Sequence, residues 1–256
     1  MTAWSALLLV LAGVAAGGIN AVVGSGTLLT YPTLLAFGLN PVLANGTNTT
    51  GLCVGGLAGA VGYRRELAGR RARMVRLATL AAAGGLAGAV LVVALPESVF
   101  VFVVPWLIVG ACVLMLVQPR VTRWLRARSG DVAIHEHPRS GLLRGGAVTG
   151  AAVYGGYFGA AQGVVFMAVL CLLDDPDVQR SNAAKNLLAG TANTAAAVTF
   201  IVTGRVLWWA AIALAVGSIA GGLLGARVAR RLPAGVLRAL VVGVGLVAAV
   251  VVLVRF

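Results

Sequence analysis

The sequence predicts an all-α integral membrane protein built from two inverted four-segment repeats, with about eight transmembrane segments in total. Three observations lead to this fold class. The mean hydropathy is +0.98, and 11% of the residues are charged, against roughly a quarter in soluble domains. Apolar segments long enough to cross a bilayer recur along the chain. The two halves of the chain also match each other at an offset of 137 residues.

Eight apolar segments can be marked along the chain, and two of them are too long for one ordinary span. The segments run over approximately 5–38, 41–62, 75–95, 98–118, 145–173, 183–204, 206–226 and 236–254. The two long segments, 5–38 and 145–173, contain glycines near their middle, at 24–26 and 155–159. Irregular backbone inside a bilayer is tolerated only where protein or a wet cavity covers it. We therefore predict that the first helix of each repeat is broken or re-entrant.

A polar stretch divides the chain. We predict a first transmembrane repeat at 1–118, a basic cytoplasmic linker at 119–144 and a second transmembrane repeat at 145–256. The net charge of +13 comes from Arg in short runs between apolar segments, which is typical of the positive-inside pattern and not of nucleic-acid binding. His135 and His137 flank Glu136 in the linker, where solvation is favoured over a surface metal site.

The match between the halves needs no gap. At the offset of 137, Asn45 falls on Asn182, the string 83–89 falls on 220–226, and Leu95-Pro96 falls on Leu232-Pro233. Chance Gly-on-Gly matches are expected in a chain with 35 glycines, but they do not explain these three matches in one register. The sequence therefore indicates an internal duplication.

The basic loops predict the orientation of the repeats. Loops 63–76, 119–144 and 226–238 are basic, and positive loops prefer the cytoplasm. All three share one side only if the first segment of each half enters and returns, so that each half crosses three times and the halves are inverted. Inverted repeats with broken helices recur in secondary transporters, where one repeat would rock against the other. The expected location is the cytoplasmic (inner) membrane of a bacterial cell.

Polar residues inside the apolar segments form two clusters, at 45–50 and 181–186, each following the broken segment of its half. The offset of 137 superposes them and places Asn48 on Lys185, so we expect the clusters to meet near the axis that relates the repeats. Helix N-termini and small polar side chains favour an anion. The candidate substrate-binding residues are Ser25, Asn45, Thr47, Asn48, Gln162, Asn182, Lys185 and Asn186.

Lys185 is the only Lys in the chain, and it could pair with an anionic substrate or carry a proton. The alternative is a Lys that snorkels from a helix start. Ser25 and Gln162 superpose at the two breaks, where they either line a pathway or satisfy freed backbone groups. No Asp or Glu lies inside a predicted span, which argues against a cation substrate.

The sequence does not predict an enzyme, a metal site or a cofactor. The three Cys residues lie alone in apolar segments, and both His residues lie in the linker, too far from Ser25 to act as its base. An anion channel with the same lining, or a non-transporting membrane subunit, are the alternative functions. Nucleic acid is not an expected partner, and the sequence makes no prediction of oligomeric state.

Several strings of the chain, taken in order, resemble the sulfite exporter TauE/SafE family, also called the 4-toluene sulfonate uptake permease family. They are 17–28, 44–48, 154–160, 181–186 and 221–227. The resemblance covers nearly the whole chain. It implies passage of small sulfur-containing anions such as sulfite, thiosulfate or organosulfonates, driven by an ion gradient for which protons are a candidate.

Overall fold

The computed structural model describes residues 3–128, 138–175 and 177–228, together with residues 242, 243, 246, 249, 250 and 252. In these residues the secondary structure is helical and contains no strand, which confirms the all-α prediction. The helices are α1 (Ala3–Val22), α2 (Thr27–Ala36), α3 (Pro41–Gly62), α4 (Arg71–Ala94), α5 (Glu97–Arg128), α6 (Pro138–Tyr157), α7 (Gln162–Leu173), α8 (Val178–Val202) and α9 (Trp208–Val228).

Four helical stretches in the described part of the chain are long and apolar enough to cross a bilayer. They are Trp4–Val22, Arg71–Ala94, Glu97–Val117 and Trp208–Gly225. Large apolar side chains on them face outward, among them Phe102, Trp106 and Ile212. Such surfaces are stable in lipid, because every helical backbone group is satisfied within its own segment. The chain is therefore a multi-pass membrane protein.

The first segment of each half is broken, as the glycines predicted. α1 and α2 are separated at residues 23–26, and α6 and α7 are separated at residues 158–161. With 10 and 12 residues, α2 and α7 are too short to cross the hydrocarbon core, which needs about 20 residues.

The duplication is visible in where helices begin. α3 begins at Pro41 and α8 at Val178, and both starts are set by a polar N-cap. Asn40 accepts a hydrogen bond from the N–H of Leu43, and Asp177 accepts from two N–H groups of α8. These caps lie 137 positions apart, and so do the starts of α4 and α9.

The helices pack as two groups that do not coincide with the halves of the sequence. One group, bundle A, comprises α1, α2, α3 and α9; the other, bundle B, comprises α4, α6, α7 and α8. α9 therefore packs with helices of the first half, and α4 packs with helices of the second half. The bundles contact each other mainly where α3 packs on α8.

The two equivalent helices α3 and α8 run antiparallel. Near the start of α3, Gly46 packs on Phe200 close to the end of α8. Near the end of α3, Gly59 packs on Asn186 close to the start of α8. Later residues of α3 thus contact earlier residues of α8, which shows that the two helices are antiparallel.

Other helix pairs run parallel and pack through small residues. Along α1 and α9, Gly13 packs on Gly217 and Gly18 packs on Gly225. Along α4 and α6, Gly84 packs on the Ala152 side chain, and Gly88 packs on the backbone of Gly156 and Tyr157 near the end of α6. Small residues let the backbones approach closely, which stabilises helix pairs in lipid through van der Waals contact.

The predicted linker and the predicted last segment differ from, or lie outside, what the structure describes. α5 continues to Arg128 and α6 begins at Pro138, so the ends of the predicted linker 119–144 are helical. Residues 129–137, which include His135 and His137, lie outside the described residues, as does most of the predicted segment 236–254.

Candidate functional site

The first break turns the chain back on itself. The N–H of Gly26 donates a hydrogen bond to Oδ1 of Asn20 at 2.6 Å, and a Cβ at Gly26 would overlap the carbonyl of Ala16. A straight helix would separate residues 16 and 26 by about 15 Å. α1 and α2 are therefore the two arms of a hairpin whose tip is at residues 23–26.

The second break is also a hairpin. The Gln162 side chain lies directly against Gly155, and the Tyr154 hydroxyl donates a hydrogen bond to the carbonyl of Ala160. The ring of Phe158, at the tip, packs edge-on against Tyr31 of α2 with a centroid distance of 5.1 Å. This contact fixes the second tip against the first hairpin.

The two tips touch. The N–H of Gly163 donates a hydrogen bond to the carbonyl of Gly24 at 3.0 Å. α2 begins at Thr27 and α7 begins at Gln162, so both helix N-termini lie next to this contact. A helix N-terminus carries a partial positive charge from its aligned peptide dipoles. The tip contact is therefore a place of positive potential.

The polar cluster of α8 binds the end of α1. The Lys185 ammonium donates to the carbonyls of Asn20 at 3.1 Å and Ala21 at 3.4 Å. The amides of Asn182 and Asn186 each donate to the Ala21 carbonyl at 3.3 Å. The last carbonyls of a helix have no partner within the helix, and a nearby cation stabilises them.

The cluster of α3 makes a comparable contact with the other hairpin. The Asn45 amide donates to the carbonyl of Tyr157, the last residue of α6, at 2.9 Å. At the offset of 137, Asn45 corresponds to Asn182, and Tyr157 corresponds to Asn20, the residue before the Ala21 that Asn182 contacts. Each polar cluster therefore donates hydrogen bonds to carbonyls at the end of the broken helix in the opposite half.

The remaining predicted residues have local partners. Asn48 accepts the hydroxyl of Thr30 and donates to the Thr27 hydroxyl at 3.3 Å. The Thr47 hydroxyl accepts from the N–H of Leu207 at 2.9 Å, just before α9, and Ser25 donates to the Met115 sulfur at 3.5 Å. These contacts hold α2, α9 and α5 in place around the tips.

The expectation that the two clusters meet is wrong. α3 and α8 are antiparallel, so clusters near their N-termini lie toward opposite ends of the pair. Asn45 is 11 residues, or about 16 Å of helix, from Gly56, the α3 residue that shares a cavity with Lys185. The sequence offset superposes the clusters but does not show which ends of the helices are adjacent.

A small cavity lies between the hairpin tips, α3 and α8. Its volume of about 20 Å³ has room for roughly one water molecule. Of the predicted residues, Gln162, Lys185 and Asn186 line it. The full lining is Asn20, Gly24, Thr27, Leu52, Gly56, Gly159, Gln162, Gly163, Lys185, Asn186, Ala189 and Asn193.

Asn20, Thr27 and Asn193 were not among the predicted site residues. Asn20 and Thr27 flank the first break on either side, so proximity to the glycines was the available signal. Asn193 falls on Gly56 at the offset of 137, and both residues line the cavity from equivalent places. The lining is thus polar on the side of α8 and apolar on the side of α3, where Leu52 and Gly56 lie.

The cavity has an excess of positive charge and of hydrogen-bond donors. Lys185 is 1% exposed and forms no salt bridge with a carboxylate of the described residues. Gln162 is 2% exposed, and its Nε2 has no hydrogen-bond partner among the described residues. A buried donor without a partner costs about 1–3 kcal/mol, so an acceptor in the cavity would be stabilised there.

The buried acid of the described chain lies away from this cavity. Asp174, at the end of α7, is ion-paired with Arg70, and with Arg73 and Arg144 at 3.4 and 3.5 Å. Arg70 and Arg73 come from the start of α4, and Arg144 comes from α6. The ion cluster therefore joins three helices of bundle B at one end.

Comparison with known proteins identifies one family and several named relatives. The model of the family described as Sulfite exporter TauE/SafE matches residues 9–252. The "Probable membrane transporter protein YfcA" of Escherichia coli (strain K12) is 28% identical over 213 residues, which are 83% of this chain and 76% of that protein. The "Probable membrane transporter protein ORF9" of Sinorhizobium sp is 26% identical over 92% of this chain and 87% of its own length.

A "Probable membrane transporter protein" of Haemophilus influenzae is 27% identical over 216 residues, which are 84% of this chain and 81% of that protein. No solved structure matches the chain significantly. These relatives are membrane transporters by name, not enzymes. Because the family model covers nearly the whole chain, including both hairpins and both polar clusters, this protein belongs to the sulfite exporter TauE/SafE family of membrane transporters.

Proposed function

We propose that this chain is a secondary transporter that moves a small, sulfur-containing anion, such as sulfite, thiosulfate or an organosulfonate, across the cytoplasmic membrane. The observation that carries the proposal is the buried cavity at the hairpin tips. Lys185 supplies its charge and Gln162 supplies an amide donor without a partner. The N-termini of α2 and α7 both lie at the contact between the hairpin tips.

The electrostatics favour an anion over a cation. An isolated ammonium buried in protein is unfavourable unless it is paired and hydrogen-bonded. The carbonyls of Asn20 and Ala21 supply hydrogen bonds, but they supply no full negative charge. An anion in the cavity would supply that charge and would accept hydrogen bonds from Gln162 and Thr27 as well. The preference for sulfur comes from the family's name alone.

The packing directions support an inverted repeat. α3 and α8 are equivalent by sequence and run antiparallel, as the contacts of Gly46 and Gly59 indicate. α1 runs parallel to α9, and α4 runs parallel to α6. A twofold axis in the membrane plane would relate the halves in this way. Loops 63–76 and 226–238 and the linker would then share the cytoplasmic side, where their Arg residues are expected.

The size of the cavity supports a carrier. The cavity has room for roughly one water molecule, so a sulfite ion with its four heavy atoms would require the cavity to widen. Transport then requires the cavity to open toward each side in turn. Bundles A and B meet at the α3–α8 contact, and we propose that they move relative to each other across it. This replaces the expectation that the sequence halves move.

The test is uptake by purified protein in proteoliposomes, with labelled sulfite, thiosulfate, benzenesulfonate and chloride, each with and without a proton gradient. Saturable uptake that counter-transport accelerates would support the carrier. Unsaturable flux at high rate, recorded as current, would instead indicate an anion channel. If none of these anions crosses, the protein is not a transporter for this class, and a membrane assembly role gains support.

The matching substitution is Lys185→Gln. It removes the charge of the cavity, and a hydrogen bond to a charged group contributes about 1.5–3 kcal/mol, so we expect roughly a ten- to hundredfold loss of apparent affinity for the transported anion. The matched control is Arg180→Gln on the same helix, whose side chain is 58% exposed. Wild-type uptake by a folded Lys185→Gln protein would remove Lys185 from the site.

A further inference from the structure

The number of hydrogen-bond acceptors around Lys185 is informative. A neutral lysine amine has two N–H donors, and an ammonium has three. The described protein offers Nζ two acceptors, the carbonyls of Asn20 and Ala21. Both N–H groups of the neutral amine are thus satisfied in this conformation. The ammonium has one further N–H, which is available to an acceptor in the cavity.

The charges around Lys185 do not fix it in the ionised state. Among the described side chains of α8 and of the helices packed against it, Lys185 is the one ionisable group that lines the cavity, and α1 carries no ionisable group. Asp174 is engaged by three Arg residues, and Asp177 accepts from the first N–H groups of α8. The other such groups among the described side chains, including those at the helix ends, are Cys53, Tyr63, Arg70, Arg71, Arg73, Arg76, Arg144, Tyr154, Tyr157, Cys171, Asp175 and Arg180.

We propose that Lys185 is the coupling site of the carrier, binding one proton for each anion that is moved and releasing that proton when the anion leaves. This inference rests on the proposed function and names its coupling ion. The cavity has no second ionisable group in its lining that could take this role. An ionisable side chain inside a membrane protein marks an ion or proton pathway more often than a structural contact.

The cycle is balanced in protons; it moves no net charge with monovalent benzenesulfonate and one negative charge with divalent thiosulfate. On the loading side, a proton from water adds to the lone pair of Nζ, and the anion then pairs with the ammonium. The loaded cavity reorients, and the anion leaves on the other side. The ammonium has then lost its counter-charge, so its N–H proton passes to water on that side. The neutral amine, bound to both carbonyls, returns empty. Anion and proton therefore move in the same direction.

The experiment uses proteoliposomes of the full chain with radiolabelled thiosulfate, and with benzenesulfonate as a second probe, because both anions stay ionised around neutral pH. A pH dye is enclosed in the lumen. We expect the lumen to acidify as the anion enters, with one proton per anion. We also expect acid outside to accelerate uptake, with the apparent affinity changing roughly tenfold per pH unit in the coupling range.

Lys185→Arg isolates the coupling, because a guanidinium does not lose its proton. Uptake by this variant should no longer respond to the pH gradient, while Arg180→Gln should keep the wild-type response. Should Lys185→Arg fail to fold, the proton count of the wild-type protein decides alone. Anion uptake without proton movement would overturn the coupling and leave the transporter standing. An absence of uptake of both anions would overturn the proposed function, and the coupling with it.

Discussion

The residue with the most informative backbone is Ala161. Its φ is 55°, in the left-handed region, and it is the only non-glycine with a positive φ in the described chain. At the offset of 137 it corresponds to Gly24, whose φ is 83°. Both residues lie at a hairpin tip. The left-handed conformation therefore recurs at this position of both turns, although only the first half has the glycine that it favours.

Replacing Ala161 by Gly should stabilise the protein. A left-handed conformation costs an L-residue about 1–2 kcal/mol, and the added chain entropy of Gly offsets about 0.5–1 kcal/mol of the gain. We expect a net gain of up to about 1 kcal/mol, measured as a higher melting temperature in detergent. A lower melting temperature would mean that the methyl group of Ala161 contributes packing that outweighs the strain.

Gly24→Ala should act in the opposite direction. The added Cβ would overlap the backbone of Gly163, so the two tips would have to separate in addition to the backbone strain. Gly204→Ala is the matched control, since Gly204 has φ 70° but open space around it, and it should cost only about 1 kcal/mol. Equal losses of stability in the two variants would argue against close contact of the tips.

At the scale of elements, the two hairpins depend on helices of the other half. α8 satisfies the end of α1 through Lys185, Asn182 and Asn186, and α3 satisfies the end of α6 through Asn45. Broken helices leave carbonyls that cannot reach water in the bilayer, and these amide and ammonium groups bind them. The polar clusters thus have a structural role at both breaks, and the charge is added at one of them.

The ion cluster at the end of bundle B provides a test of how its helices are held. Asp174 has a side chain that is 1% exposed, and three Arg residues surround it. Removing one partner of a buried ion pair costs about 3–5 kcal/mol, because the remaining charges lose their compensation. Asp174→Asn should therefore lower the melting temperature markedly.

Asp175→Asn is the control for this cluster, since that carboxylate is more exposed, at 14%, and should matter less. Melting curves of both variants in the same detergent give the comparison. If Asp175→Asn were the more destabilising of the two, the contacts of Asp174 would not be the ones that hold α4 to α6 and α7.

At the scale of the whole molecule, α9 packs with the first half and α4 packs with the second. This exchange holds the two halves of the sequence together, because each bundle contains a helix from the other half. It also leaves the α3–α8 contact and the hairpin tips as the main connection between bundles. The cavity lies at this connection, where a relative movement of the bundles would change its access.

The proposed inverted arrangement predicts the sidedness of the loops. Single Cys at Ala68 and Ala229 should react with an impermeant thiol reagent from the cytoplasmic side. Single Cys at Ser98, in the first turn of α5, and at Thr203, on the loop before α9, should react from the opposite side. The background protein has Ala in place of Cys53, Cys112 and Cys171. Labelling of position 229 from the outside would show that the halves are not inverted.

The sequence by itself determined the membrane class, the helical fold, the duplication and the breaks. Hydropathy depends on composition, and the Gly strings and the offset of 137 are local patterns that need no knowledge of packing. The burial of Lys185 was also predictable, since a single Lys among 19 Arg lies inside a predicted apolar segment. These properties follow from residues near each other in the chain.

Only the tertiary structure decided which ends of the helices are adjacent. The offset made Asn45 and Lys185 equivalent, but the antiparallel crossing of α3 and α8 separates them and places each on the opposite hairpin. Asn20 and Asn193 reach the cavity from helices far apart in sequence. A repeat identifies equivalent residues, whereas the axis that relates the copies, set by small-residue packing between helices, determines which of them meet.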